Sequence, residues 1–186
     1  MKTLVALGSG CLLCLCASAA GVASYTADPA QSHLQFTGIQ AGAPFTGEFG
    51  KFTAAVDFAP DALATSRIDV TIEVGSENSK DKDRDTTILS ADLFNAAKFP
   101  TAHYVTKSIA KSANGYEAVG SLTLRGVTKD VPISFKFTPG AGGAKLEGTA
   151  NLKRLDFGVG QGDWKATDQV ADAVKVAFSL TLKPKN

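Results

Sequence analysis

Alternation of apolar and polar residues with a period of two dominates the chain. In RIDVTIEV, Ile68, Val70, Ile72 and Val74 fall on one side and Arg67, Asp69, Thr71 and Glu73 on the other, the pattern of an antiparallel strand with one buried face. VPISFKF repeats it with Val131, Ile133, Phe135 and Phe137, and VKVAFSLTL with Val174, Val176, Phe178, Leu180 and Leu182. Weaker alternation marks Leu34 and Phe36, Val56 and Phe58, Tyr104 and Thr106, Leu122 and Leu124, and Leu146 with Leu152, so the pattern predicts about eight strands. The separators are turn chemistry: Asn114-Gly115, Arg125-Gly126 and Pro139-Gly140 with Gly142-Gly143. Each is short enough for a hairpin, and strands starting near 101, 115, 128 and 143 are expected to form a meander.

One segment breaks the alternation. SADLFNAAKFP places Ser90 as an N-cap, Leu93, Phe94 and Ala97 at helical spacing, and Pro100 as a stop; it predicts a short helix whose Leu89, Phe94 and Phe99 make it an apolar plug. A second helical turn is expected over 167–170. Eight antiparallel strands with one apolar face each predict an all-β fold, an extended eight-stranded antiparallel barrel with one or two short helices, whose closure removes exposed edges. A two-sheet sandwich satisfies the same pattern. A barrel of eight strands has an interior filled by side chains or open to one slender ligand.

The N-terminal residues change the compartment. Lys2, an apolar run from Leu4 to Cys16, and then Ala17-Ser18-Ala19 have the form of a cleaved secretory signal, so residues 1–20 are expected to be a leader and residues 21–186 the mature barrel, exported to the periplasm. The apolar run is short for a permanent bilayer span. Cys11, Cys14 and Cys16 leave with the leader, which removes every thiol. Cys11 follows Ser9-Gly10 as a lipidation site would require, but the apolar run before it is very short for that purpose. The chain has 19 Lys+Arg and 18 Asp+Glu; losing Lys2 makes the mature part neutral by count. No basic cluster of the kind that binds nucleic acid is present.

Candidate chemistry is sparse. His33 and His103 are far apart on strands, no Gly-x-Ser-x-Gly occurs, and two histidines do not make a zinc site. Asp81, Asp83 and Asp85 in DKDRDT alternate with Lys80, Lys82 and Arg84, with Thr86 where a calcium loop needs glycine; a solvated, self-paired charged loop is expected instead. GVGQGDW has Asp163 where a dinucleotide fingerprint wants its third glycine, and no crossover helix follows. The eleven phenylalanines, among them Phe45, Phe49 and Phe52 in a glycine-rich stretch, fit either a packed interior or an elongated apolar cavity.

Four stretches, FTGIQAGAPFTGEFGKF, LFNAAKFPTAHYVTKSI, YEAVGSLTLRGVTKDVPISF and RLDFGVGQGDWKATDQVADAVKVAFSLTL, occur in an order in which the chain resembles the YceI-like family of secreted and periplasmic proteins from about Tyr25 to Leu182. The resemblance implies a lipocalin-like barrel with an internal apolar tunnel for a long isoprenoid chain, a polyprenyl lipid or the tail of an isoprenoid quinone. It implies no covalent cofactor and no catalytic residue set. Carried over by strand parity, the tunnel lining is expected to comprise Phe36, Phe45, Phe49, Val70, Ile72, Phe94, Leu122, Phe135, Leu146, Phe157, Trp164 and Phe178. The polar head is expected at the mouth near Trp164, Asp163 and Arg154, with the glycines of GVGQGDW as a mobile rim and Trp164 as a lid. Expected partners are the isoprenoid itself, a membrane touched transiently during exchange, and a second copy in a homodimer. An enzyme acting on a hydrophobic substrate in the barrel, and a ligand-free structural barrel, are the alternatives.

Overall fold

The computed structural model describes residues 21–185; the expected leader at 1–20 lies outside them. Eleven strands and one α-helix follow one another as β1 (Ala23–Ala27), β2 (His33–Gln40), β3 (Ala43–Phe49), β4 (Phe52–Phe58), β5 (Arg67–Glu73), β6 (Glu77–Asn78), α1 (Lys82–Leu89), β7 (Thr101–Ser112), β8 (Gly115–Leu124), β9 (Val127–Gly140), β10 (Gly143–Lys153) and β11 (Ala173–Pro184). All pairings are antiparallel.

Eight strands close a ring in the order β1, β4, β5, β7, β8, β9, β10, β11 and back to β1 through Tyr25↔Pro184 and Ala27↔Leu182. The fold is therefore a closed eight-stranded antiparallel barrel, and β7 to β10 form the expected meander. The wall has two tiers on one side. β1 pairs with the C-terminal end of β11, while β2 takes the preceding part of the same strand, from Lys175↔Thr37 to Ser179↔His33. β2 passes the upper tier to β3, and β3 to the two-residue β6. Beyond β6 that tier continues as α1 and segment 90–99. The sequence pattern does not mark β1, β3 or β6, because Gly and Pro interrupt β3 and the other two are short.

The helix lies earlier in the chain than expected. Asp81 caps it, its side chain accepting from the backbone N–H groups of Asp83 and Arg84 at 3.2 and 3.1 Å, and Asp83 and Asp85 sit in the first turn, where the helix dipole favours negative charge. DKDRDT is thus the start of a helix rather than a loop, although its Arg84–Asp81 pair does form at 2.8 Å. Ser90 is the C-cap of this helix and not the N-cap of another. Residues 91–94 and 96–98 are turns, joined at Asn95, which has φ 51° and whose N–H donates to the Ser90 carbonyl at 2.7 Å. Residues 167–169 likewise form a turn, and the helical turn of this region is a 3-10 helix at Gly162–Lys165 just before it.

The two ends of the barrel are built differently. At the end made by the Ser112–Gly115 and Gly140–Gly143 turns, Phe58 packs against Phe137, Tyr116 and Phe135 at ring-centroid distances of 4.5, 4.9 and 5.8 Å, and Tyr25 closes on Phe137 at 5.8 Å. Edge-on and tilted rings at such distances are favoured by the aromatic quadrupole. Burial declines towards the other end. On β11, Leu182 and Leu180 are 2% and 3% exposed, whereas the inward Phe178, Val176 and Val174 are only half-buried. On β4, Phe58 and Val56 are buried and Phe52 is half-buried.

Candidate functional site

Half-buried inward residues require an interior space. A cavity of about 210 Å³ runs inside the barrel, with walls from β2, β3, β4, β5, β7, β8, β9, β10 and β11 and a cover from Ile88, Leu93 and Phe94. This space, the slot, is bordered by nine of the eleven strands and so reaches along the barrel interior. Along β11 the wall extends from Val174 to Leu180, about 20 Å of strand at ~3.3 Å per residue.

Inward-facing glycines create the slot. In the β2–β3 pair Phe36 lies opposite Gly47 and Phe45 opposite Gly38. A methyl group at Gly38 would stand 2.8 Å from the Phe45 ring, and one at Gly47 would run into the Phe36 ring. Each ring therefore occupies the space over a bare backbone, and the two rings meet edge to face with centroids 6.1 Å apart. Gly148 and Phe178 repeat the arrangement between β10 and β11. Aromatic cover of a cross-strand glycine also shields the backbone and pins the register.

Ten of the twelve residues expected at the lining border the cavity: Phe36, Phe45, Phe49, Val70, Ile72, Phe94, Leu122, Leu146, Phe157 and Phe178. Phe135 does not. It faces inward as parity requires, but it lies in the closed end, stacked on Tyr116 with centroids 5.4 Å apart at 25°. Trp164 is the other exception: it stands outside the slot in a vestibule formed with Gln40, Phe45, Asp81, Asp83, Arg84, Thr87, Ile88, Leu93 and Val170. Phe45, Ile88, Leu93 and Val170 border both spaces, so the vestibule adjoins the slot. Ile88 and Leu93 escape strand parity because they come from α1 and the turn after it.

Arg154 is not available to a head group. It is 6% exposed and donates all of its N–H groups to backbone carbonyls: Nε to Ala171 at 3.1 Å, Nη1 to Val159 and Trp164 at 3.0 and 2.6 Å, and Nη2 to Ala166 and Val170 at 3.0 and 2.8 Å. Burial pulls its pKa below the usual arginine value, with the Asp172 charge opposing. One side chain thus organises the whole connection from β10 to β11. Gly158 and Gly160 of GVGQGDW belong to this knot, whereas Gly162 borders open space. Gly158 has φ 68° and closes a 3-10 turn, and Gly160 has φ 126° and leaves no room for a Cβ beside Arg154 and the Trp164 carbonyl. The N–H groups of Gly160 and Gln161 donate to the Asp92 carbonyl at 3.0 and 2.8 Å, tying the knot to the cover over the slot.

The titratable side chains bordering the slot are Tyr104 and Arg154. Burial, with a smaller contribution from Asp130, raises the Tyr104 phenol, whose O–H donates to the Val131 carbonyl at 3.3 Å. Both histidines are on the outer wall, His103 bonded to Asp69 at 2.7 Å and His33 to Glu48 at 2.8 Å. His103 and its partner Asp69 thus face away from the tunnel. The mouth half does hold one unusual acid. Glu77, on β6, is 6% exposed, with neither carboxylate oxygen hydrogen-bonded, and burial and the nearby Asp85 raise its pKa to about 7 against a smaller opposing effect of Arg84.

Comparison with known proteins agrees with this architecture. A UPF0312 protein of Yersinia enterocolitica is 32% identical over 167 residues, covering 85% of this chain and 86% of its own. The crystal structure of BcnA from Burkholderia cenocepacia superposes with a TM-score of 0.79 at 32% identity over 83% of this chain and 98% of that one. A polyisoprenoid binding domain from Saccharophagus degradans, at 16% identity, shares the fold with a TM-score of 0.66 over 88% of this chain and 99% of that one. The family model for the YceI-like domain matches residues 25–182. With that match across nearly all of the barrel, the chain belongs to the YceI-like domain family.

Proposed function

We propose that the protein binds a long isoprenoid lipid, with the tail in the slot and the head in the vestibule, and so carries or sequesters a molecule that water excludes. The observation that carries this reading is the slot itself: a narrow, almost wholly apolar space kept open by cross-strand glycines. A core selected only for stability would fill it, since voids cost packing energy. Each methylene transferred into it contributes about 0.8 kcal/mol, so a few isoprene units suffice for tight binding. The Saccharophagus degradans domain of the same fold is described as polyisoprenoid binding, which supports the choice of ligand class. In this reading residues 1–20 direct export to the periplasm, and the vestibule meets a membrane briefly when ligand is exchanged.

The test is extraction of the protein from native periplasm with organic solvent, followed by mass spectrometry, together with titration of the delipidated protein with an isoprenol while Trp164 fluorescence is followed. Val176→Phe places a ring in the slot from a half-buried wall position; it should abolish binding and leave the circular dichroism spectrum intact. An extract without isoprenoid and no response to added isoprenol would end the proposal.

A further inference from the structure

Glu77 is a buried acid that the isoprenoid reading leaves unused. On β6 it lies opposite Phe49, so it faces inward with the slot wall. Its carboxylate rests over Gly47, where an added Cβ would meet both its Oε1 and the Phe36 ring. Neither oxygen has a hydrogen-bond partner, although a carboxylate taken out of water needs donors to remain charged. Each surrounding element presents different groups to it. From α1 come Asp85 and Arg84, whose charges act on Glu77 in opposite senses, while Asp81, Lys82 and Asp83 are exposed. β3 turns its own acid, Glu48, outward onto His33 at 2.8 Å. Glu73, ahead of β6, is exposed beside Lys51 at 3.8 Å, and Lys80, just after β6, is exposed as well. Arg84 is divided between neighbours: its Nη2 donates to Asp81 Oδ2 at 2.8 Å, its guanidinium stands 4.7 Å from the centre of the Phe45 ring, and its Nε is unpartnered. An ionised Glu77 therefore sets a second carboxylate beside Asp85, with one guanidinium to serve both and Asp81. Asp85 is also what fastens the first turn of α1 to the end of β6, its Oδ1 accepting from the Ser79 N–H at 2.8 Å and from the Ser79 hydroxyl at 2.5 Å. The last turn is fastened elsewhere. The Ile88 and Leu89 carbonyls accept from the N–H groups of Phe94 and Ala96 at 2.9 and 3.2 Å, and the Asp92 carbonyl is bonded to the Arg154 knot.

We propose that α1 is a hinged cover governed by one proton: with Glu77 neutral its first turn sits down on β6 and Phe45, and with Glu77 ionised that turn lifts while the last turn stays attached. Burial, and then the Asp85 charge, raise the Glu77 pKa to about 7 against a smaller opposing effect of Arg84. In the lifted state the carboxyl meets water and returns towards its ordinary value of 4.5. The seated state thus holds the proton more tightly, so seating is complete in acid and is lost as pH rises through about 7. Asp81, Asp83, Arg84 and Thr87 share the vestibule with Trp164, and lifting the first turn widens the mouth there. The device goes beyond the isoprenoid reading and is tested without a ligand; joined to that reading, it releases lipid faster at neutral or alkaline pH than in acid.

The experiment uses the intact protein, delipidated. Amide exchange over residues 79–89, corrected for the intrinsic effect of pH on exchange, should quicken about tenfold between pH 6 and pH 8, with little change in β7 to β10. Acrylamide should quench Trp164 more strongly at pH 8 than at pH 6. Glu77→Gln should show neither change and should stay protected at pH 8. Asp85→Asn keeps an acceptor for Ser79 and removes the neighbouring charge, so its transition should move to lower pH; it serves as the second variant if Glu77→Gln folds poorly. Four results would each overturn the hinged cover: wild-type exchange that is the same at the two pH values, a Glu77→Gln variant that keeps the wild-type pH dependence, a midpoint that Asp85→Asn leaves in place, or acceleration spread evenly over the barrel. None of them bears on whether the slot binds an isoprenoid, which the extraction and the isoprenol titration decide separately.

Discussion

The two ends of the barrel follow opposite rules. At the closed end the inward side chains fill the interior: Phe58, Val56 and Leu182 are all at most 2% exposed, and five aromatic rings interlock. At the mouth end the inward side chains lie against the wall, the cover comes from a helix and turns, and polar groups penetrate. Among the described residues, every buried side-chain polar atom lacking a hydrogen-bond partner belongs to Glu77, Arg84 or Arg125, all in the mouth half. Such groups cost stability, and proteins tolerate that cost where a site needs shape or charge. Stability is thus concentrated at one end, and the proposed binding function at the other.

The sharpest way to break this contrast is to empty the closed end. Phe58→Ala removes the ring at the centre of the aromatic plug and should destabilise the protein by about 3–5 kcal/mol, measured as a lower midpoint of urea unfolding at unchanged slope. A loss below ~1 kcal/mol would show that the plug is not where the fold is anchored. Arg154→Met comes next. It preserves most of the side-chain volume but strands five carbonyls, each worth roughly 1 kcal/mol or more when buried without a donor, with only the Val159 bond fully buried and the other four part-buried, where water can replace the lost donor. A loss of about 3 kcal/mol is expected, with amide exchange quickened over 158–171 and scarcely changed in β7 to β10. Uniform acceleration along the chain would mean that Arg154 supports the whole barrel and not the mouth alone.

These two residues also show what the sequence makes legible. Parity along a strand assigns a face, because the side-chain period is two, and it placed Phe36, Val70, Leu122 and Phe178 on the interior side. It carries no information about height in the barrel, so Phe135, with the same parity, was expected in the slot and lies in the plug. Height is set by shear and register, which depend on pairings between strands distant in sequence. The helix was misplaced for a local reason: Leu93, Phe94 and Ala97 imitate a helical face, while the Asp81 cap and the acidic first turn determine where helix forms. Arg154 is expected near the head group from sequence because its five acceptors are backbone carbonyls, and no side chain in the sequence announces them.

Glu77 tests the mouth end by pH. Its carboxyl has a pKa of about 7 in the fold against 4.5 ordinarily. The fold therefore holds this proton more tightly than the unfolded chain does. The corresponding stability is fully present below pH 4.5 and is lost as pH rises through about 7. Glu77→Gln keeps the shape without the ionisation. It should be more stable than the wild-type protein by about 1–3 kcal/mol at pH 8.5 and should match it near pH 4, in unfolding curves taken across that range. A wild-type stability that stays flat from pH 4 to 8.5 would mean that Glu77 finds a partner on ionising, for which Arg84, with its unpartnered Nε and its charge already opposing the rise, is the candidate.

The smallest expected effect on folding is also the one that most isolates function. Trp164 is half-buried at the vestibule, outside the slot, and its backbone is fixed independently of its ring, through its N–H to the Gln161 carbonyl and its carbonyl to Arg154. Removing the indole therefore leaves the Arg154 knot in place, and Trp164→Ala should cost only about 1–2 kcal/mol, as expected of a half-buried side chain at the edge of the core. In the proposed reading the indole lies over the passage bordered by Phe45, Ile88, Leu93 and Val170, so release of a bound isoprenoid should nevertheless quicken several-fold. Stopped-flow transfer of a fluorescent isoprenoid analogue from protein to vesicles measures that rate without depending on the lost tryptophan. Set beside Phe58→Ala, which should lower stability far more while sparing the mouth, the pair forms a double dissociation. If Trp164→Ala instead unfolds the barrel as readily as Phe58→Ala, the division of labour between the two ends is wrong.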